Sequence, residues 1–561
     1  MSTTTVTDVT DVGFQELEDQ MANADITTQE VEDNMLKLDD VRSANPSTLN
    51  PGFFTPSSPV SPYLTPMSEE EAKVYGDHMR LLNRSDGQSE IDEAITTPVF
   101  TMPVLNHLEL NSKSPFAQYG LVAGEAARML ELTDEDSLSP KKELDARVFF
   151  NIASPSSTFI CGSQGSGKSH TLSCLLENSL FPSVANELPR PLTGLVFHYD
   201  TFISDEGGSP CEAAFLSSNP DVKVRVLCAP TNIGTIKKAY HQFKNVTIEP
   251  LRINQTDLNT KRMLDLMSVT TNEGSMPLYI HTIYRILRSM RLVQQERRGT
   301  FDYMLFKEMI DAAKLHPSQL GPLQQRLDTL ESFMPSGQTA APRPHARGLP
   351  VLPGNDWTPK AGHLTIVDLS CPCVTPEGAC ALFNICLSIF LEKGTEIGRV
   401  IALDEAHKYM NASAEASTLT ETLLSTVRLQ RHLGARIIIS TQEPTISPAL
   451  LDLCSSTIVH RFTSPDWLRA LQAHLAGASK LLQSDEEQEE GGEVTPTIVK
   501  IFNDIVKLKV GEALLFSPSA IIGVDKSSRG AAALQRLGAG YLKIRVRSRL
   551  TTDGGKSVMA A

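Results

Sequence analysis

The sequence predicts an α/β protein: a parallel sheet covered by helices, with a helical insertion and an acidic N-terminal region without fixed structure. Three observations carry that expectation. Six apolar runs between residues 157 and 442 show little alternation, one of them leads into a glycine-rich turn and then a helix-like segment, and residues 251 to 335 repeat apolar side chains at helical spacing. Strands buried on both faces read as continuous Val, Ile and Leu runs, whereas half-exposed strands alternate.

Taken in order, residues 1–98 form the first region. It is polar and acidic, and "NPSTLNPGFFTPSSPVSPYLTP" sets prolines where neither a helix nor a central strand continues. Residues 1–100 hold nineteen Asp and Glu against five Lys and Arg, so nearly all of the net charge of -15 sits there. The rest of the chain is close to neutral, with 47 acidic and 46 basic residues, and so does not exclude a polyanionic partner. Thr55-Pro56, Ser58-Pro59, Ser61-Pro62, Thr65-Pro66 and Ser139-Pro140 are sites where proline-directed phosphorylation can add charge.

Residues 99–250 are expected to form the first part of the core, with strands in "STFIC" (157–161), "LTGLVFHYD" (192–200) and "VKVRVLC" (222–228). A helical insertion and loop occupy 251–345. The core resumes over 346–550 through "HLTIVDLS" (363–370), "RVIALDE" (399–405) and "ARIIISTQ" (435–442), and a tail covers 551–561. The run "SDEEQEEGGE" (484–493) reads as a solvated loop within that second part.

Gly162-Ser163-Gln164-Gly165-Ser166-Gly167-Lys168-Ser169 fits G-x-x-x-x-G-K-[ST], between a strand-like and a helix-like segment. In such a loop the glycines let successive N–H groups face an anion at the start of a helix, which makes a cradle for nucleotide phosphates. Lys168 supplies a cation for the terminal phosphates and the Ser169 hydroxyl a ligand for Mg2+. The nucleotide-binding set is therefore Gly162 through Ser169 together with His170, and ATP and Mg2+ are the expected cofactors.

"RVIALDEAHKYM" (399–410) is an apolar run ending in Asp404 and Glu405. A carboxylate at the end of a buried strand beside a phosphate loop can hold Mg2+, and a second can orient or deprotonate an attacking water. Asp404 is assigned to metal and Glu405 to catalysis. Asp404-Glu405-Ala406-His407 also spells the signature of DEAH-box helicases. Those enzymes carry a second RecA-like domain beyond it, and only 154 residues follow His407 here.

With "GSQGSGKSHT", "LTIVDLS", "VIALDEAHKYM", "RHLGARIIISTQEPTISPALLDLCSSTIVHRF" and "LKVGEALLF", the chain resembles the HerA/FtsK superfamily of P-loop ATPases and its VirB4 and TraG relatives, and is similar to fungal P-loop proteins without a defined role. The resemblance covers roughly 146–250 and 360–550. It implies a RecA-like core, ATP hydrolysis, Gln442 as a polar sensor at the end of a strand, and a hexameric ring in which a neighbour supplies an arginine finger. Arg428, Arg431 and Arg436 match that last role, and Arg431 is taken as the catalytic one.

"RILRSMRLVQQERR" places Arg285, Arg288 and Arg291 on one helical face, and "YLKIRVRSRL" alternates Lys543, Arg545, Arg547 and Arg549, both of them arrangements that can meet nucleic acid phosphates. Cys371, Cys373 and Cys380 lack zinc-site spacing, whereas Cys161 abuts the phosphate loop, where oxidation would block nucleotide. Nine scattered cysteines, no leader-like N-terminus and no apolar run long enough for a bilayer lead us to expect a soluble, intracellular protein with no membrane partner, in cytoplasm or nucleus. Two uses of ATP fit: a motor that moves nucleic acid, and a nucleotide-dependent switch or scaffold.

Overall fold

The computed structural model describes residues 68–82, 92–111, 115–131, 145–204, 207–266, 278–339, 353–394, 396–474, 497–526 and 532–554. The acidic run 484–493 and all five Ser/Thr-Pro pairs lie outside them. The chain divides into two units, Met1–Leu82 and Asn83–Ala561.

Among the described residues of the first unit, Glu69–Leu82 is a helix, where the sequence reads as lacking fixed structure. That expectation is corrected here for a physical reason. Glu69 and Glu70 at the helix start and Arg80 in the last turn complement the helix dipole, a local signal that the prolines upstream mask.

The second unit is built on one sheet of sixteen strands among the described residues. In chain order they are β1 (Val99–Thr101), β2 (Tyr119–Glu125), β3 (Arg147–Asn151), β4 (Ser157–Cys161), β5 (Asn186–Glu187), β6 (Thr193–His198), β7 (Lys223–Cys228) and β8 (Val246–Pro250). After the insertion come β9 (His363–Asp368), β10 (Arg399–Leu403), β11 (Ala435–Thr441), β12 (Ser456–His460), β13 (Glu512–Phe516), β14 (Ile521–Lys526), β15 (Ala532–Arg536) and β16 (Leu542–Val546). All six apolar runs singled out in the sequence are strands.

Their order, β8-β7-β9-β6-β10-β11-β4-β12, is parallel throughout. The central strands are buried on both faces; β4, β6, β10, β11 and β12 have no exposed residue, whereas the edge strand β8 has no buried one. One side is covered by the Lys168–Leu180 helix, and the other by Pro376–Glu392, Ala414–Arg428 and the helices of the insertion. Among the described residues the insertion holds the helices Thr260–Leu266, Leu278–Arg297, Tyr303–Ala312 and Pro317–Ser332, in line with the helical spacing. Its inward side chains, Ile283, Leu287, Phe306 and Leu327 among them, join the same core.

Beyond β12 the sheet turns antiparallel through β13, β16, β2 and β3 to β1, and β14 then pairs parallel with β1. Strands from both ends of the unit thus interleave on one flank of the parallel core.

Candidate functional site

The phosphate loop follows β4 directly. Gly162 and Gly167 adopt φ of 151° and 114°, and a Cβ on Gly162 would stand 2.7 Å from the His460 Cβ. Such backbone favours glycine, and here it lets the loop close against the end of β12. Ser163 fastens it there, since its backbone N–H and its hydroxyl both donate to the Arg461 carbonyl, at 2.9 and 2.8 Å. Inside the loop, Ser166 Oγ and Lys168 Nζ both donate to the Ser163 carbonyl, at 2.7 and 3.0 Å. The Lys168–Leu180 helix starts at this point, with the unpaired N–H groups of its first turn at the loop.

Asp404 follows β10 at the same end of the sheet. β11 lies between β4 and β10 in parallel register, so Asp404 stands two strand spacings, about 10 Å, from the strand that feeds the loop. It is buried, and its two oxygens differ. Oδ2 faces His198 Nδ1 at 3.2 Å and Cys211 Sγ at 3.8 Å, whereas Oδ1 is buried without a hydrogen-bond partner. A carboxylate fixed through one oxygen, with the other bare, suits a divalent cation held between it and the half-buried Ser169. Burial pushes the Lys168 pKa down, and the charges of Glu405 and Asp404 draw it back up, so the ammonium feels both acids. His198 would be lowered by burial, but Cys211 and its bond to Asp404 raise it well above the ordinary value.

Glu405 comes next in the chain, in the left-handed backbone region at φ 50°. Its Oε2 accepts from Gln442 Nε2 at 3.1 Å and lies 3.4 Å from His407 Nε2. The backbone N–H of Gln442 in turn donates to His407 Nδ1 at 3.3 Å. Glu405 and Gln442, 37 residues apart in the chain, therefore touch.

A glycine loop between strand and helix, an acidic strand two positions away and one parallel strand between them decide the fold. The chain has a RecA-like P-loop core. No protein-family model matches it, and no curated protein matches its sequence. Among solved structures this chain is similar to VirB4 of Thermoanaerobacter pseudethanolicus (13% identity, 77% of this chain and 97% of that chain covered, TM-score 0.46). It is also similar to the plasmid coupling protein TrwB in complex with ADP and Mg2+ (11%, 71% and 86%, TM-score 0.39). The genome packaging NTPase B204 from Sulfolobus turreted icosahedral virus 2, in complex with ATP-gammaS, is similar over a smaller part (14%, 31% and 66%, TM-score 0.18).

Other expectations fare differently around the P-loop core. Arg431 lies on the short Gln430–Leu433 helix before β11, exposed, at the sheet edge opposite the loop, and Arg428 precedes it on the same side. Neither reaches the phosphate loop of its own chain. Arg436 is buried, with its guanidinium given to the carbonyls of Gly434 and Ala153, and burial lowers its pKa to about 10. It is a packing residue and not a finger.

His170 Nε2 donates to the Arg547 carbonyl at 2.8 Å, which commits the ring to the C-terminal segment and leaves only the backbone of this first-turn residue toward the loop. Arg547 and Arg549 are likewise spent internally, on Glu177 and Glu212, so the alternating basic strand does not present four free cations. Cys161 is fully buried, and burial pushes its thiol up to about 12, which disfavours the thiolate that oxidation needs.

His198, Cys211, His407 and His460 were missed as parts of the site. The Glu512 carbonyl can only accept, so His460 Nδ1 carries the proton and its Nε2 accepts from the Thr171 hydroxyl at 2.9 Å. The neutral ring thus braces the loop from beneath. A histidine ending an apolar run, as in "LVFH" and "STIVH", is the signal available in sequence: both rings close strands at the loop end of the sheet.

Proposed function

We propose that this chain binds ATP and hydrolyses it to ADP and phosphate. The observation that carries the reading is the meeting, at one sheet edge, of a buried lysine, a carboxylate with one bare oxygen and a second carboxylate held by an amide. The N–H groups of residues 163–169 bind the phosphates, and Lys168 neutralises the terminal ones. Ser169 and Asp404 would hold Mg2+, which would supply further positive charge where negative charge is transferred. Glu405 takes the proton of the water whose oxygen bonds to the terminal phosphorus, as the bond from that phosphorus to the ADP oxygen breaks. Gln442 fixes Glu405 and links it to β11.

The exposed Arg431 and Arg428 act in a neighbouring copy, which makes the working unit a ring, and the exposed arginine face of Leu278–Arg297 supports movement of a nucleic acid as the use of the energy. Nucleotide binding and ATP turnover test the reading in the wild type, Lys168→Ala and Glu405→Gln. Lys168→Ala is expected to lose binding. Glu405→Gln should bind normally while turnover falls by about 10²–10⁴-fold. An unchanged rate in Glu405→Gln removes that role, and a wild type that neither binds nor turns over ATP removes the reading.

A further inference from the structure

In the tetrapeptide Asp404-Glu405-Ala406-His407 the ATPase reading gives work to the two acids and none to the histidine. His407 is nevertheless placed with care. The 3-10 turn Ala406–Lys408 carries it back over Glu405, so that its Nδ1 accepts the backbone N–H of Gln442 and its Nε2 stands 3.4 Å from Glu405 Oε2. Accepting at Nδ1 leaves the proton of the neutral ring on Nε2, on the side that faces the carboxylate. Glu405 itself holds a left-handed backbone conformation that a residue with a side chain rarely adopts and that persists only where its surroundings impose it.

Gln442 Nε2 is the other group on Oε2, and it sits at the end of a rotatable side chain. The imidazole instead accepts a main-chain N–H at the end of β11 and holds its other nitrogen 3.4 Å from the carboxylate, so its reference point is the sheet. A group that must meet a water molecule is useful only within a narrow range of positions, and its supporting shell sets that range.

We propose that His407 is a positioning residue, a neutral imidazole that aims Glu405 at the attacking water and couples its orientation to the end of β11. The role rests on the ATPase reading above. It is neither a metal ligand nor a proton carrier, and it touches no reacting atom.

The test uses the full chain with His407→Asn and His407→Gln beside the wild type and Glu405→Gln. Asparagine can keep the acceptor toward Gln442 N–H, but its amide nitrogen falls short of Glu405. Glutamine reaches as far as Nε2 and restores a donor there. In His407→Asn, kcat for ATP should fall by about 10–100-fold. KM and the affinity for a non-hydrolysable ATP analogue should stay within about twofold. His407→Gln should recover most of kcat, and the thermal midpoint of both variants should stay near that of the wild type.

Wild-type kcat in His407→Asn overturns the proposal, as does equal loss in both variants or a fall that follows thermal stability. Two further outcomes separate it from its parent. An inactive wild type, or a fully active Glu405→Gln, takes down the ATPase reading and His407 with it. A dead Glu405→Gln beside an unimpaired His407→Asn takes down His407 alone.

Discussion

His460 shows how a single side chain sets conditions for the whole loop. It is fully buried, and burial lowers its pKa from 6.5 to about 4. The unfolded chain therefore binds a proton more readily than the native one between those values. Its contribution is complete above pH 6.5 and is lost as pH falls toward 4, a difference on the order of 3 kcal/mol. The thermal midpoint should drop on acidification from pH 7 to pH 5, and the drop should be smaller in His460→Gln. Equal drops in the two proteins would show that other groups govern acid stability. At this scale the sequence was legible wherever function needs neighbouring residues, as in Gly162 to Ser169 and Asp404-Glu405. It was silent on Cys211 and showed of His198 and His460 only that each ends an apolar run, because their partners come from other strands and from residues such as Thr171 and Glu512, far away along the chain.

Among elements, the Lys168–Leu180 helix depends on the far end of the polypeptide. Glu177 is wholly buried, and its carboxylate accepts from Arg547, from the backbone N–H groups of Leu550 and Thr551, and from the Thr551 hydroxyl. Arg547 also donates to the carbonyls of Leu121 and Cys174. Removing one partner of such a pair strands the other charge in the interior. Glu177→Ala should accordingly cost about 3–5 kcal/mol, read as a lower denaturation midpoint in urea, whereas Lys543→Ala, at a half-exposed pair with Glu512, should change it little. The parallel strands were readable because burial on both faces writes unbroken Val, Ile and Leu runs. β1 has three residues and β2 contains two glycines, so neither produces a pattern that stands out, and the antiparallel flank was not foreseen.

For the molecule as a whole, charge is divided unevenly. The acidic excess lies within the first hundred residues, whereas Leu278–Arg297 turns Arg285, Arg288 and Arg291 to solvent and packs Ile283, Ile286 and Met290 inward. If that face meets nucleic acid, DNA should raise the ATPase rate, and the rise should fade with salt and in a variant with all three arginines changed to glutamate. Light scattering should report a ring-sized mass under the same conditions. A monomer with turnover indifferent to DNA favours the switch or scaffold instead. The interleaved flank has a further effect, at the ribosome. Thr101 Oγ1 donates to the carbonyl of Ile522, 421 residues later, and β2 waits for β16. At about 5–20 residues per second the early strands stand with open edges for some 20–80 s. Newly made chains should therefore lean on chaperones until translation is nearly finished.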